Sequence, residues 1–346
     1  MPVLIKGAGV AGLATALELS RRGIAVEVVD AAETVGTGAS TYAGGMLAAF
    51  CEREAGDEAV LMLGLSSADW WEEALPGAVF RKGTLVVAAG RDSGELDRFA
   101  ARTRGYEWVG GNAIAELEPD LAGRFERALF FAEEAHLDPR KAMAGLYETL
   151  IASGVHFHLG CSDVPSDRSY AAVVECTGAA AIATTPGLRG VRGEMLFLET
   201  PEISLSRPVR LLHPRHPLYV VPREDHRFMV GATMIETDDD GPITARSLME
   251  LLNAAYAVHP AFGEARVVET GVGIRPAFAD NLPRVLDRDD GFAIAGMYRH
   301  GFLLAPTMAR QLAERLCAGE HPPFTPVFEE PAAADRHPSF RHGAIQ

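Results

Sequence analysis

Apolar and polar positions along the chain change period several times, and each change predicts an element. PVLI, residues 2–5, is a short apolar run of the kind that forms a buried strand. GAGVAG follows, after which Val10, Leu13, Ala14 and Leu17 recur at helical spacing. Gly23 stands where that helix needs a left-handed cap, and IAVEVVD, 24–30, reads as a second strand ending in Asp30. Strand, helix and strand in this order form a β-α-β unit, whose parallel pairing requires helices on the sheet faces. Beyond a glycine-rich loop at 36–47, Leu61, Leu65, Ala68 and Leu75 predict one helix over about 57–75. From 79 to 132 the texture changes to a strand (TLVVA), a helix near 93–104, a short helix at 112–118 and a strand (ALFFA). Asp138-Pro139 supplies an N-cap followed by proline at the first helical position, for a helix running to Gly154. VHFHL and AVVEC follow as strands. Strands dominate again from 191 to 273, with LYVVPREDHRFMVGAT as a hairpin and a helix at 244–257. FAIAG is a last strand and PTMARQLAERLCAG a last helix, and the Pro-, Ala- and His-rich tail after about 326 is expected to be poorly ordered.

This order predicts an α/β protein of two interleaved domains. A Rossmann-like nucleotide-binding domain takes 1–78, 138–192 and 271–325, a mixed-sheet α+β substrate domain takes 79–137 and 193–270, and 326–346 is a tail. The 346 residues are 48% hydrophobic, enough for a sizeable core. A net charge of −15 repels phosphate backbones and anionic lipid, which excludes nucleic acid and membrane surfaces as expected partners. No apolar run of the roughly eighteen residues needed to span a bilayer occurs, and Lys6 and Glu18 interrupt the apolar N-terminal stretch. The cysteines at 51, 161, 176 and 317 form no C-x-x-C pair and read as buried free thiols of a cytoplasmic protein.

The chemistry begins with Gly7, Gly9 and Gly12, a G-x-G-x-x-G between strand and helix. The first glycine permits the tight turn, the second lets backbone approach a pyrophosphate, and the third allows close helix–strand packing. Phosphate sits well at the helix N-terminus beside Val10 and Ala11, and Asp30 is placed to accept ribose hydroxyls. The motif implies a dinucleotide but does not separate FAD from NAD. Gly44-Gly45-Met46 offers bare backbone against which a flat ring can lie, or else a flexible loop. VVECTG ends in Thr177-Gly178, where small residues let a cofactor pass above a strand end. Arg275 and Arg299 both follow strands, where open α/β sheets place ligands. A guanidinium fork matches a carboxylate in two parallel hydrogen bonds, and each arginine alternatively pairs with one of the chain's surplus acids. His156 and His158 share one strand face without a third ligand at suitable spacing, and RHPSFRH in the tail reads as solvated, so no metal site is expected.

Taken together, IKGAGVAGLATALEL with Asp30, ASTYAGGML, LDPRKAM, VVECTGA, LYVVPR…RFMVGATM, GIRPAFADNLP and GMYRHGFLLAP cover nearly the whole chain in order. In these segments the chain resembles the FAD-dependent D-amino-acid oxidase superfamily and, within it, the glycine oxidases of thiamine biosynthesis. The resemblance implies that Arg275 clamps a substrate carboxylate, that Tyr219 helps to hold it, that Met234 lines a small substrate pocket and that Arg299 stands beside flavin and substrate. It also implies that His300, Gly301, Phe302, Leu303 and Leu304 lie against the flavin, ahead of the last helix. FAD is expected to be non-covalent, because GVGIRP lacks the cysteine that tethers flavin in sarcosine-oxidase relatives. Met297 and His300 depart from the histidine and asparagine frequent in the family, which bears on substrate range. The implied reaction is oxidation of glycine, or of another small amine or D-amino acid, to the imine and glyoxylate. O2 is reduced to H2O2, and the product feeds thiazole assembly. Its alternatives are a D-amino-acid or sarcosine oxidase or dehydrogenase of the same superfamily, an NAD-dependent dehydrogenase and a non-catalytic flavoprotein. Homo-oligomerisation stays open.

Overall fold

The computed structural model describes residues 1–54, 56–164, 169–213 and 217–318. The expected tail and its histidines lie outside them. Val3–Lys6 is flanked by Val26–Asp30 and Ala172–Glu175, both parallel to it. His156–Leu159 and Gly291–Ala295 extend the sheet in parallel, and Arg284–Arg288 closes one edge antiparallel. Helices Val10–Arg21, Pro139–Ala152 and Gly301–Ala318 cover this sheet, burying Ile5, Leu13, Val28, Leu146 and Leu312 in one apolar cluster. The capping reading of Asp138 holds, since its carboxylate accepts the N–H groups of Arg140 and Lys141 at 2.9 and 3.3 Å.

A second sheet of nine strands is built around two long antiparallel partners, Arg189–Glu199 and Arg266–Ala277. The hairpin Leu218–Pro222 with Arg227–Gly231 adds to it, followed by Val209–Leu212, Thr84–Ala88, Arg127–Phe131 and Glu107–Gly110. Alternation sends Leu196, Leu198, Val220 and Val230 into a core beneath helix Ala245–Val258. The same alternation turns Gly193, Met195, Arg210, Tyr219, Gly231, Gly271, Gly273 and Arg275 to the opposite face, because directly paired residues share a side. Half of those residues are glycine, so this face is low enough to admit a ligand.

Several expectations are corrected. Residues 57–75 form two helices, Glu58–Gly64 and Ser67–Ala74, instead of one. Gly64, the last residue of the first, packs so closely that a Cβ would lie 2.8 Å from the Leu303 side chain, and Leu65 is left exposed while Trp70 and Trp71 are buried. The last helix starts at Gly301, not at Pro306, which is internal. Pro306 has no N–H for the Phe302 carbonyl, which instead accepts from Trp71 Nε1 at 2.8 Å and Ser67 Oγ at 3.2 Å. The boundaries expected after 192 and 270 fall inside the two long strands. Cys161 and Cys317 are exposed, at a loop and a final helical turn, whereas Cys51 and Cys176 are buried. His158 meets Glu27 at 2.8 Å.

Candidate active site

Between the two sheets runs a cleft of about 580 Å³, continuous through Tyr219, Arg275 and Arg299 with a smaller pocket of about 190 Å³. At one end of the cleft Gly7 has φ +106° and lies against the Cys176 carbonyl so closely that any side chain would overlap it. Gly9 caps the helix without a side chain, and Ser40 Oγ accepts the Val10 N–H at 3.2 Å. Asp30 is fixed at its strand end by the N–H groups of Ala8 (2.6 Å) and Ala32 (2.8 Å), one to each oxygen. Thr177 and Gly178, just beyond the neighbouring parallel strand, also line the cleft.

Farther along, Gly44 faces the Tyr219 ring, which a Cβ would meet at 2.8 Å, and Gly45 adopts φ +70°. This bare loop is clamped through its carbonyls: Arg223 Nη2 donates to Gly44 O at 2.8 Å, and Leu137 N donates to Gly45 O at 2.9 Å. Met46 then pairs with His136. From the other side the first turn of the last helix, His300 to Leu303, presents its N-terminus to the cleft.

The two arginines differ sharply. Arg275 folds across Gly193, into space that a side chain there would fill, and donates to the Thr233 carbonyl at 3.0 Å. Among the described residues no carboxylate pairs with it. Burial, reinforced by the neighbouring Arg299 charge, lowers its pKa from the ordinary arginine value. Arg299 is ion-paired with Glu52: Nη2 donates to Oε1 at 3.0 Å, and Nε lies 2.9 Å from Oε2 without hydrogen-bond geometry. Burial alone would raise the Glu52 pKa, but Arg299, Arg210 and His300 outweigh it and hold the carboxyl at about 2. Burial and the adjacent guanidiniums push His300 down to about 4, so its ring, 3.4 Å from Glu52, is neutral at physiological pH. Met234 is half-exposed on the small pocket, with its sulfur 3.3 Å from Arg299 Nη1.

Tyr219, Arg275 and Arg299 thus meet where cleft and pocket join, and Met234 lies on the pocket side. Gly7, Gly9, Val10, Ala11, Asp30, Gly44, Gly45, Met46, Thr177, Gly178 and His300 to Leu303 all line the cleft. Gly12 and Leu304 do not. Gly12 packs against the Gly7 carbonyl, and Leu304 points into the core. Glu52, Arg210 and Arg223 were not singled out by the sequence reading. Each acts on a partner far away in the chain, and neither period nor spacing marks it.

Residues 2–315 match the sequence profile of the DAO family, described as FAD dependent oxidoreductase. The chain belongs to this family. A protein of Rhizobium etli named as a thiamine biosynthesis oxidoreductase, ThiO, is 64% identical over 93% of this chain and 98% of its own length. The glycine oxidase of Geobacillus kaustophilus is 26% identical over 90% of this chain and 92% of its own. The crystal structure of glycine oxidase from Geobacillus kaustophilus superposes with a TM-score of 0.77 at 24% identity, covering 94% of this chain and 96% of that one. Iminodiacetate oxidase from Chelativorans sp. BNC1 has the same fold, with a TM-score of 0.77 at 23% identity over 93% and 97% of the two chains. The protein is an FAD-dependent oxidoreductase of the glycine oxidase and ThiO type.

The residues present fit FAD. Two helix N-termini face the cleft, the glycines at 7, 44, 193 and 273 keep side chains out of it, and Asp30 is held rigid at its strand end. One further buried acid lies behind this wall. Glu134 Oε1 accepts the Cys51 N–H at 2.7 Å and thereby fixes the helix that carries Glu52. Burial, with the nearby Glu52 charge adding to it, pushes the Glu134 carboxyl up to about 7. A carboxyl with a raised folded pKa is destabilising once ionised, so this share of stability is present below about pH 4.5 and lost as pH rises through 7. Glu134→Gln should therefore gain on the wild type by roughly 1–3 kcal/mol between pH 5 and 8, at about 1.4 kcal/mol per pKa unit. Parallel urea denaturation curves across that range check the sign.

Proposed function

We propose that the protein oxidises glycine, or a similarly small amine, to the imine that hydrolyses to glyoxylate, with O2 reduced to H2O2. The observation that carries this reading is the half-buried Arg275, a cation with no carboxylate of its own among the described residues, at the junction of pocket and cleft. A substrate carboxylate completes its hydrogen bonding in a bidentate pair, and Tyr219 stands beside it as a second donor. Anchored there, the substrate presents its α-carbon toward the cleft, and the walls exclude water from it. When bound, FAD supplies the two-electron acceptor for the hydride on that carbon and hands the electrons to O2. The carboxylates around the pocket are paired, Glu52 with Arg299, Glu54 with Arg102 and Glu95 with Arg98, so none is free as a base. The amine therefore loses its proton to solvent before reacting.

Arg299, tied to Glu52, shapes the junction instead of clamping the carboxylate, and Met234 limits substrate size. The residues 1–78, 138–192 and 271–325 serve mainly the cofactor and 79–137 with 193–270 the substrate, the two long strands being shared. The 64% identity to a protein named for thiamine biosynthesis supports a role in supplying thiazole assembly, in the cytoplasm. Sarcosine and D-alanine are the alternative substrates.

A peroxide-coupled screen of glycine, sarcosine and D-alanine tests the reading, and absence of peroxide with all three would sink it. On Met234→Ala the same screen should raise D-alanine relative to glycine by roughly tenfold, since a methyl-scale opening changes discrimination by about 1–3 kcal/mol. The flavin should be non-covalent, because the strand reading GVGIRP offers no cysteine. Acid precipitation should release all yellow colour to the supernatant, and colour left in the pellet would count against it.

A further inference from the structure

Behind the bare loop of the cleft lies a guanidinium held off from its acid. The Arg223 side chain is 6% exposed, and it donates from Nη2 to the Gly44 carbonyl at 2.8 Å and from Nη1 to the Pro222 carbonyl at 3.1 Å. Its Nε is buried without a hydrogen-bond partner, and Oδ2 of Asp138 stays 3.7 Å away, too far to supply one. The other oxygen of Asp138 caps the helix Pro139–Ala152. Arg140 also reaches the loop, donating to the Thr41 carbonyl at 3.3 Å, but Glu269 pairs with both of its terminal nitrogens. Burial lowers the Arg223 pKa only to about 10, so its charge persists at neutral pH, whereas burial pushes His136, beside the loop, down to about 3 and leaves it neutral. The direction of the bond to the loop matters. The Gly44–Gly45 peptide is trans, so its N–H points opposite to the carbonyl that Arg223 holds. Gly44 and Gly45 line the cleft and Arg223 does not, which turns the Gly45 N–H toward the cleft. That N–H has no partner among the described residues. The Leu137 N–H holds the next carbonyl, that of Gly45, at 2.9 Å, so the loop is fixed on either side of it. A hydrogen bond to a carbonyl polarises the peptide it belongs to, and a charged donor does so most.

We infer that Arg223 is a positioning residue for the flavin: from behind the loop it aims and polarises the Gly45 N–H, and so makes the bound ring easier to reduce. This rests on the reading of the cleft as the flavin's, with the bare Gly44–Gly45 backbone against its ring, and adds what sets the ring's affinity for electrons. Reduction places negative charge on the ring, and a fixed N–H backed by a cation favours that charge.

The test is a redox titration of the FAD-loaded enzyme against a reference dye, with FAD affinity measured on the same samples. Arg223→Met should lower the two-electron reduction equilibrium of the flavin at least tenfold, about 30 mV in midpoint potential. Arg223→Gln keeps a donor for the Gly44 carbonyl without the charge and should fall in the same direction. Arg223→Lys keeps both charge and donor and should stay within threefold of the wild type. Asp138→Asn shifts the balance the other way. Asparagine still caps a helix, but the counter-charge near Arg223 is gone, so the equilibrium should rise at least threefold. This variant decides the matter if the methionine and glutamine variants fail to hold FAD. Weaker FAD binding at an unchanged potential in Arg223→Met and Arg223→Gln would mean that the arginine only keeps the loop in place, and would overturn the inference. An unchanged potential in Asp138→Asn would overturn it as well. Either result leaves amine oxidation standing, because peroxide formed from small amines by the wild type is read independently. If the wild type binds no FAD, the reading of the cleft fails first, and the inference with it.

Discussion

Arg275→Ala should retain its fold and its flavin while kcat/KM for glycine falls at least a hundredfold. The guanidinium is half-buried, bonded among the described residues only to the Thr233 carbonyl, and positioned by the gap at Gly193. Hydrogen bonds to charged groups contribute about 1.5–3 kcal/mol, and misorientation of the α-carbon lowers the rate further. At tenfold for each 1.4 kcal/mol, loss of the bidentate pair alone accounts for one to two decades. Removal of a half-buried cation that lacks a carboxylate among the described residues relieves part of a desolvation penalty, so Tm should hold or rise. Arg275→Lys keeps the charge without the fork and should stay strongly impaired. Steady-state kinetics with flavin content measured on the same samples decide it. Near-normal kcat/KM in flavin-replete Arg275→Ala would move the clamp to Arg299 or Tyr219.

Glu52→Ala should have the largest effect on stability. Its carboxylate sits between Arg299, Arg210 and His300, and its loss leaves two guanidiniums buried near one another. Breaking a buried ion pair from one side costs about 3–5 kcal/mol. The pH dependence has a definite sign. The Glu52 pKa is depressed to about 2, so its stabilisation is fully present above the unfolded carboxyl value, near 4.5, and is lost as pH falls toward 2. Denaturation curves of wild type and Glu52→Ala should be far apart at pH 7 and converge between pH 4.5 and 2.5. A constant gap over that interval would show that the ionised carboxylate is not what holds the cluster.

The parts of the site that were legible in the sequence are those where backbone conformation dictates residue type. Gly7 and Gly45 occupy positive φ, Gly12 and Gly44 stand where neighbours crowd the space a side chain needs, and Asp30 ends a strand of recognisable period. The resemblance added Tyr219, Met234 and the roles of the arginines. For Arg299 the structure shows the internal ion pair, with Glu52, and places the arginine in the lining of the pocket. Glu52 itself was invisible, since a carboxylate on a short helix announces neither its burial nor a partner far away in sequence. Arg223 was missed for the same reason: its target is the carbonyl of Gly44, and carbonyls carry no residue signature. The last helix, expected from Pro306, starts at Gly301. A tryptophan from another helix occupies the carbonyl that proline leaves unpaired, and only tertiary structure supplies that tryptophan.

The glycine-bare sheet face also sets a limit on thermostability engineering. Gly193, Gly271 and Gly273 have no left-handed backbone to protect, so the usual rule would replace them with alanine to reduce unfolded-chain entropy, for about 0.4–1 kcal/mol each. At Gly193 the added methyl would displace the guanidinium of Arg275, and at Gly271 it would strike the ring of Tyr42. A screen scored on melting temperature alone would retain a Gly193→Ala clone whose fold is intact and whose carboxylate anchor has been pushed aside. On this face heat resistance and turnover select opposite alleles, so a stabilised library has to be sorted on both.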